Sequence, residues 1–232
     1  MKFWMILLLV FGLPLALYLF ARTTNVRFEA RIEIETPKGV QTDSRVMNVS
    51  YTRPIFTAIL PMEARGWRSR VNGEALAVEV VPGRYLFVLI GSGYDSEDPV
   101  RWLRNTYRQP AFHKGPITHT RFGWIRAIKR SDGYFEVPVS SYPYMVTFDD
   151  INDPASVILV EPEEMDQIFG PSVSLKSFAL TAVNKKVEIG RLQQLLPWLT
   201  RIGERSLCKA SYRTTAPLCE RLTFSDFLGA GN

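Results

Sequence analysis

Two cysteines and two histidines are all that 232 residues contain. His113 and His119 are six apart with Gly115-Pro116 between them, which is not a helical metal-binding face. A zinc site would have to recruit its other ligands from far along the chain. Catalytic signatures are missing too. No G-x-S-x-G elbow is present, and Gly91-Ser92-Gly93 lacks both the Lys-Ser/Thr of a phosphate loop and the glycine spacing of a dinucleotide fingerprint. It reads as a turn. No segment repeats at a fixed period, which excludes solenoids and propellers.

Charge is missing in three places. Between Lys2 and Arg22 there is none: Phe3 to Ala21 is one unbroken apolar run. As a helix it would extend about 28 Å, close to the hydrocarbon core of a bilayer. Residues 1–24 therefore read as an N-terminal transmembrane helix or a signal peptide. Ala21 offers a small −1 residue for cleavage, but Leu19 at −3 is large, which favours an uncleaved anchor. Trp4 and Tyr18 lie near its two ends, where amphipathic rings prefer the interface.

Acids are absent from residues 99–130, which hold eight bases: Arg101, Arg104, Arg108, Lys114, Arg121, Arg126, Lys129 and Arg130. Bases are absent from residues 131–175, which hold nine acids. Three readings of these adjoining blocks stay open. They face each other as a screened ion-pair network, or the basic block lies on anionic lipid, or a protein partner reads the pattern. Trp102, Tyr107, Phe112, Phe122 and Trp124 interleave with the bases. That would suit single-stranded nucleic acid, a ligand an exported domain would seldom meet, so no nucleic-acid partner is expected.

Cys208 and Cys219 enclose a short loop and suit a disulfide, although two unrelated buried thiols remain an alternative. Arg22, Arg27 and Arg31 after the apolar run favour a cytoplasmic C-terminal side. A disulfide favours the opposite, and the expectation is N-in, C-out.

Residues 25–232 read as a single β-rich extracytoplasmic domain. The fold class is α+β: mostly antiparallel strands with a few short helices. Val26, Phe28, Ala30, Ile32 and Ile34 alternate strictly with charged residues, giving a half-buried strand with a solvated face. Pro37-Lys38-Gly39 turns it into a partner over residues 40–51. Asn72-Gly73 is another tight-turn pair. Residues 75–81 and 84–90 flank Pro82-Gly83, and the run Tyr85 to Ile90 is apolar on both faces, as in a covered central strand. Asp98-Pro99 opens a helix running to about Tyr107. Strands are expected over 144–148, 156–160 and 173–183, the last with a bulge near Ser177. Short helices fit 162–170 and 189–196, and the tail from Cys208 onward reads as loop-rich with an apolar element at 222–228.

Asp149, Asp150, Asn152 and Asp153 crowd oxygen atoms that would suit Ca²⁺. The EF-hand's central glycine and terminal glutamate are absent, which favours turn and capping roles. The phrases Val146-Thr-Phe-Asp-Asp-Ile-Asn-Asp-Pro-Ala-Ser-Val157, Phe169-Gly-Pro-Ser-Val-Ser-Leu-Lys176 and Leu195-Leu-Pro-Trp-Leu199, with Gly83 to Ile90, resemble an uncharacterised family of chiefly proteobacterial proteins. The resemblance implies a bacterial, membrane-addressed protein and no assigned chemistry. The resulting expectation is a single-pass inner-membrane protein with a periplasmic domain. That domain would be a non-enzymatic module binding a partner protein or the membrane surface, without cofactor or metal. The alternative is an envelope hydrolase using Asp149/Asp150 or His113/His119.

Overall fold

The computed structural model describes residues 23–52, 68–91, 101–107, 133–203, 205–209 and 217–229. Nine strands are described: β1 Thr23–Thr36, β2 Gly39–Thr52, β3 Arg68–Asn72, β4 Leu76–Val81, β5 Arg84–Val88, β6 Phe135–Glu136, β7 Met145–Phe148, β8 Val157–Leu159 and β9 Ser174–Ala182. The described helices are all short: α1 Arg101–Thr106, α2 Met165–Phe169, α3 Arg191–Leu195, α4 Leu199–Ile202, α5 Leu218–Arg221 and α6 Phe224–Phe227. The protein is β-rich, and every strand pairing described is antiparallel.

Alternation along β1 builds the first sheet. Val26, Phe28, Ala30, Ile32 and Ile34 are all buried on one face. The Pro37-Lys38 turn hands on to Gly39, whose φ of 108° is a left-handed value that glycine adopts at no steric cost. β2 then pairs with β1 along its whole length, from Thr36↔Gly39 to Thr23↔Thr52. The full order is β3-β2-β1-β9-β6. β9 slips register against β1 between Glu33 and Ile34, so Lys176 has no Cα partner there, next to the Ser177 at which the alternation falters.

The second sheet has the order β4-β5-β7-β8. Its side chains divide by parity between two cores. Leu76, Val78, Leu86, Val88 and Met145 join the inward residues of the first sheet, with Trp102 of α1 edge-on to Phe28 at 5.6 Å. Ala77, Phe87, Val146 and Phe148 face the other way, into a core completed by Leu192, Trp198, Leu199, Leu207, Leu222 and Phe227. β5 is thus covered on both faces, as its unbroken apolar run predicts.

The structure departs from the sequence reading at one place and goes beyond it at two. Asn72-Gly73 does not close a hairpin: β3 ends there, and the chain crosses to the other sheet to start β4. Tight packing of Gly73 against Met47, where a Cβ would approach Met47 Cγ to 2.9 Å, explains the glycine. The tail is not a loose end, because α5 and α6 close the second core. β3 has no signature of its own, since Arg68-Ser69-Arg70 offers no apolar alternation before Val71. No helix among the described residues is long and apolar enough to cross a membrane; the apolar run 3–21 lies outside them.

Candidate functional site

The outer face of β1 is less solvated than its charges suggest. Glu29 is only 8% exposed. Its Oε2 accepts a hydrogen bond from Lys185 Nζ at 2.7 Å, and its Oε1 accepts one from Tyr134 Oη at 3.3 Å. Arg31 stacks over the Tyr134 ring at 5.7 Å. Burial works to raise the Glu29 pKa, but hydrogen bonds from Lys185 and Ser44 and the Lys185 charge outweigh it, so the carboxyl titrates below its ordinary value. Lys185 is raised by the same hydrogen bond and charge. Tyr134 is raised by burial first and by the Glu29 charge second. This is a stable ion pair rather than a poised acid or base.

The acidic loop after β7 spends its oxygens on itself. Asp150 Oδ1 accepts from the Asn152 backbone N–H at 2.9 Å and from Asn152 Nδ2 at 3.2 Å. Asp153 Oδ1 accepts from Ala155 N–H at 2.9 Å, capping the 3-10 turn Pro154–Ser156. Ser156 Oγ donates toward the carbonyls of both Asp150 and Asp153. The loop also braces the cap, since its Ile151 carbonyl accepts from Trp198 Nε1 at 2.8 Å. Among the described residues no group of three or more His, Cys, Asp and Glu side chains is placed to hold a metal ion.

Cys208 and Cys219 are joined in a disulfide with Cα atoms 5.3 Å apart. The Cys208 backbone N–H also donates to the Cys219 carbonyl, and Cys219 packs in the second core.

Of the basic block, Arg101 and Arg104 lie on α1, while Arg108, Lys114, Arg121, Arg126, Lys129 and Arg130 fall outside the described residues, as do His113 and His119. The ends of that segment are fixed. Tyr107 is fully buried, and its ring lies 6.5 Å from Phe135 of β6, the edge strand where the chain returns.

Sequence reading missed three structural carboxylates, of which Glu74 and Asp226 are buried and Asp43 is half-buried. Glu74 is 2% exposed and accepts from the backbone N–H groups of Gly190 and Leu192, closing the start of α3. Asp43 accepts from Ala77 N–H of β4 at 2.9 Å and from Arg191 Nη1 at 2.7 Å, joining both sheets to α3. Asp226 accepts from Thr223 N–H at 2.8 Å. All three act on backbone far away or on a helix start, so no local motif announces Glu74 or Asp43. Thr223 three residues before Asp226 is a legible capping pattern.

Two open clefts lie among the described residues. One, of about 260 Å³, lies between the hairpin turns and is lined by Thr36, Pro37, Lys38, Gln41, Glu79, Val80, Val81 and Pro82. The other, of about 240 Å³, runs beside β8 and includes Tyr142, Tyr144, Leu159, Glu161 and Glu163. Burial, then the Glu136 and Glu163 charges, raise the Tyr142 pKa. Comparison with protein-family models, curated proteins and solved structures finds no match to the chain.

Proposed function

We propose that this is a single-pass membrane protein of the bacterial inner membrane, anchored by its N-terminal apolar run 3–21, whose β-rich domain works outside the cytoplasm as a binding module. The Cys208–Cys219 disulfide carries the reading, because such bonds persist in oxidising compartments. The apolar run 3–21 and the resemblance to membrane-addressed proteins agree with it. The basic stretch 99–130, from Arg101 to Arg130, is the contact surface of this module, for a protein partner or anionic lipid. Of the hydrolase alternative's residues, Asp150 has its Oδ1 engaged by Asn152 of its own loop, which weakens the Asp149/Asp150 pair, while His113 and His119 lie outside the described residues.

Protease treatment of spheroplasts tests the placement. The domain should be digested without breaking the inner membrane, while alkaline carbonate should leave the anchor in the pellet. Full protection of a membrane-bound chain would reverse the orientation. Thiols that alkylate without prior reduction would remove its main support.

A further inference from the structure

One corner of the five-stranded sheet combines one sign of charge with proximity to the anchor. β1 is hydrogen-bonded from Thr23, two residues beyond the end of the apolar run. Thr23 pairs with Thr52, and Thr52 pairs with Arg68, so the first residues of β1 and β3 and the last of β2 share one end of the sheet. The end of β9 joins them, since Val183 N–H donates to the Arg27 carbonyl. Across residues 23–28, 48–52, 68–72 and 181–187 there are five bases and no acid. They are Arg27, Arg68, Arg70, Lys185 and Lys186. Arg27 and Arg70 are exposed and alternate with the buried Val26, Phe28 and Val71, which puts them on the outer face; Lys186 is exposed beside them. Next along the chain from these stretches come Glu29, already held by Lys185, Glu188, and Glu74, which is buried against the start of α3.

We infer that this corner docks on anionic lipid headgroups, so that the domain leans on the bilayer with the outer face of β1 and β3 toward it. The inference rests on the anchor reading and is separate from the basic stretch 99–130. Arg27 lies six residues past Ala21, at most about 20 Å of extended chain. A headgroup layer about 6 Å deep and the reach of an arginine side chain cover much of that span, and a tilt supplies the rest. Tethering keeps the local lipid concentration high, so a few screened charges suffice.

The test uses the full chain reconstituted in vesicles of phosphatidylcholine alone or with phosphatidylglycerol. A fluorophore is placed on Asn25→Cys or, at the far hairpin, on Val40→Cys, and a headgroup-linked quencher reports distance. Anionic lipid should increase quenching at position 25 and not at position 40. Arg27→Glu/Arg70→Glu/Lys186→Glu should lower the docked-to-undocked ratio by on the order of a hundredfold. Molar salt on the unsubstituted chain should act in the same direction. Equal quenching at position 25 in both lipids, or indifference to both charge reversal and salt, would overturn the inference. Carbonate extraction from the neutral vesicles tests the anchor separately: release there sinks the anchor reading and this inference together, whereas retention with no lipid-dependent quenching sinks only this one.

Discussion

The two faces of the second sheet are covered by different means. On one side lies another sheet, whose β1 and β2 pair through fourteen successive positions. Along β1, at its centre, the apolar residues come at every second position, so a single periodic rule places them. On the other side lie four short helices, α3 to α6. None is long enough to be stable alone. They are held by tertiary devices: Glu74 at the start of α3, Trp198 bonded to Ile151, Phe227 against Phe87, Phe148 and Trp198, and the disulfide. Periodicity builds one core, and isolated long-range contacts build the other. The first should unfold only with the whole protein, and the second should yield to loss of a single device.

Truncating the inter-sheet core should have the largest effect. Phe28→Ala removes a fully buried ring that meets Trp102 at 5.6 Å, and should cost about 3–5 kcal/mol in denaturant unfolding. Protection from hydrogen exchange should fall across both sheets together. Loss confined to β1 would show that the core is not one cooperative unit. Cys208→Ser/Cys219→Ser should cost about 2–3 kcal/mol, given eleven residues of sequence separation. Its exchange signature should differ: residues 191–228 lose protection while β1, β2 and β9 keep theirs. Uniform loss in both variants would break the contrast between the two cores.

Gly229→Ala probes the seam between the regions. Gly229 N–H donates to the Gly73 carbonyl at 3.0 Å, and a Cβ there would collide with the carbonyl of Val71. Overpacking against backbone should cost about 1–3 kcal/mol. A thermal midpoint unchanged by this substitution would mean that the end of the cap is not tied to β3. Glu74→Gln keeps the shape but weakens the acceptor for Gly190 and Leu192, and should cost about 1 kcal/mol, with exchange rising first at α3.

The same contrast explains what the sequence made legible. β1 and β5 were readable because alternation in one and an unbroken apolar run in the other repeat along each, and β2 because Pro37-Lys38-Gly39 turns the chain back beside β1, as Pro82-Gly83 does between β4 and β5. The closing of α2 by Gly170, at φ 112°, was readable for the same local reason. The cap was not. Leu222 and Phe227 look like an isolated apolar patch until Phe87 and Phe148, far earlier in the chain, supply the surface they cover. The Glu29 environment was misread because alternation tells which face a residue occupies, not whether Tyr134 and Lys185 later cover that face. Asp150 and Asp153 were read correctly as turn residues because their partners lie within two residues.

The smallest effect concerns that covered face and has a pH signature. Glu29 is held below its ordinary pKa in the folded state, so its contribution is present above the unfolded carboxylate pKa and fades as pH falls through the lower folded value. Lys185→Met removes the chief hydrogen-bond donor and its charge, leaving only the Ser44 and Tyr134 hydrogen bonds against burial, so the Glu29 pKa should rise relative to the parent. At neutral pH the variant should be slightly less stable than the parent, the effect being small because Lys185 is itself largely exposed. At a pH well below the carboxylate range, parent and variant should converge, since Glu29 is then protonated in both. Urea midpoints at pH 7 and pH 2.5 give the comparison. A gap that stays constant with pH would assign Lys185 a packing role through its methylene stem, and a gap that widens in acid would contradict the ion pair.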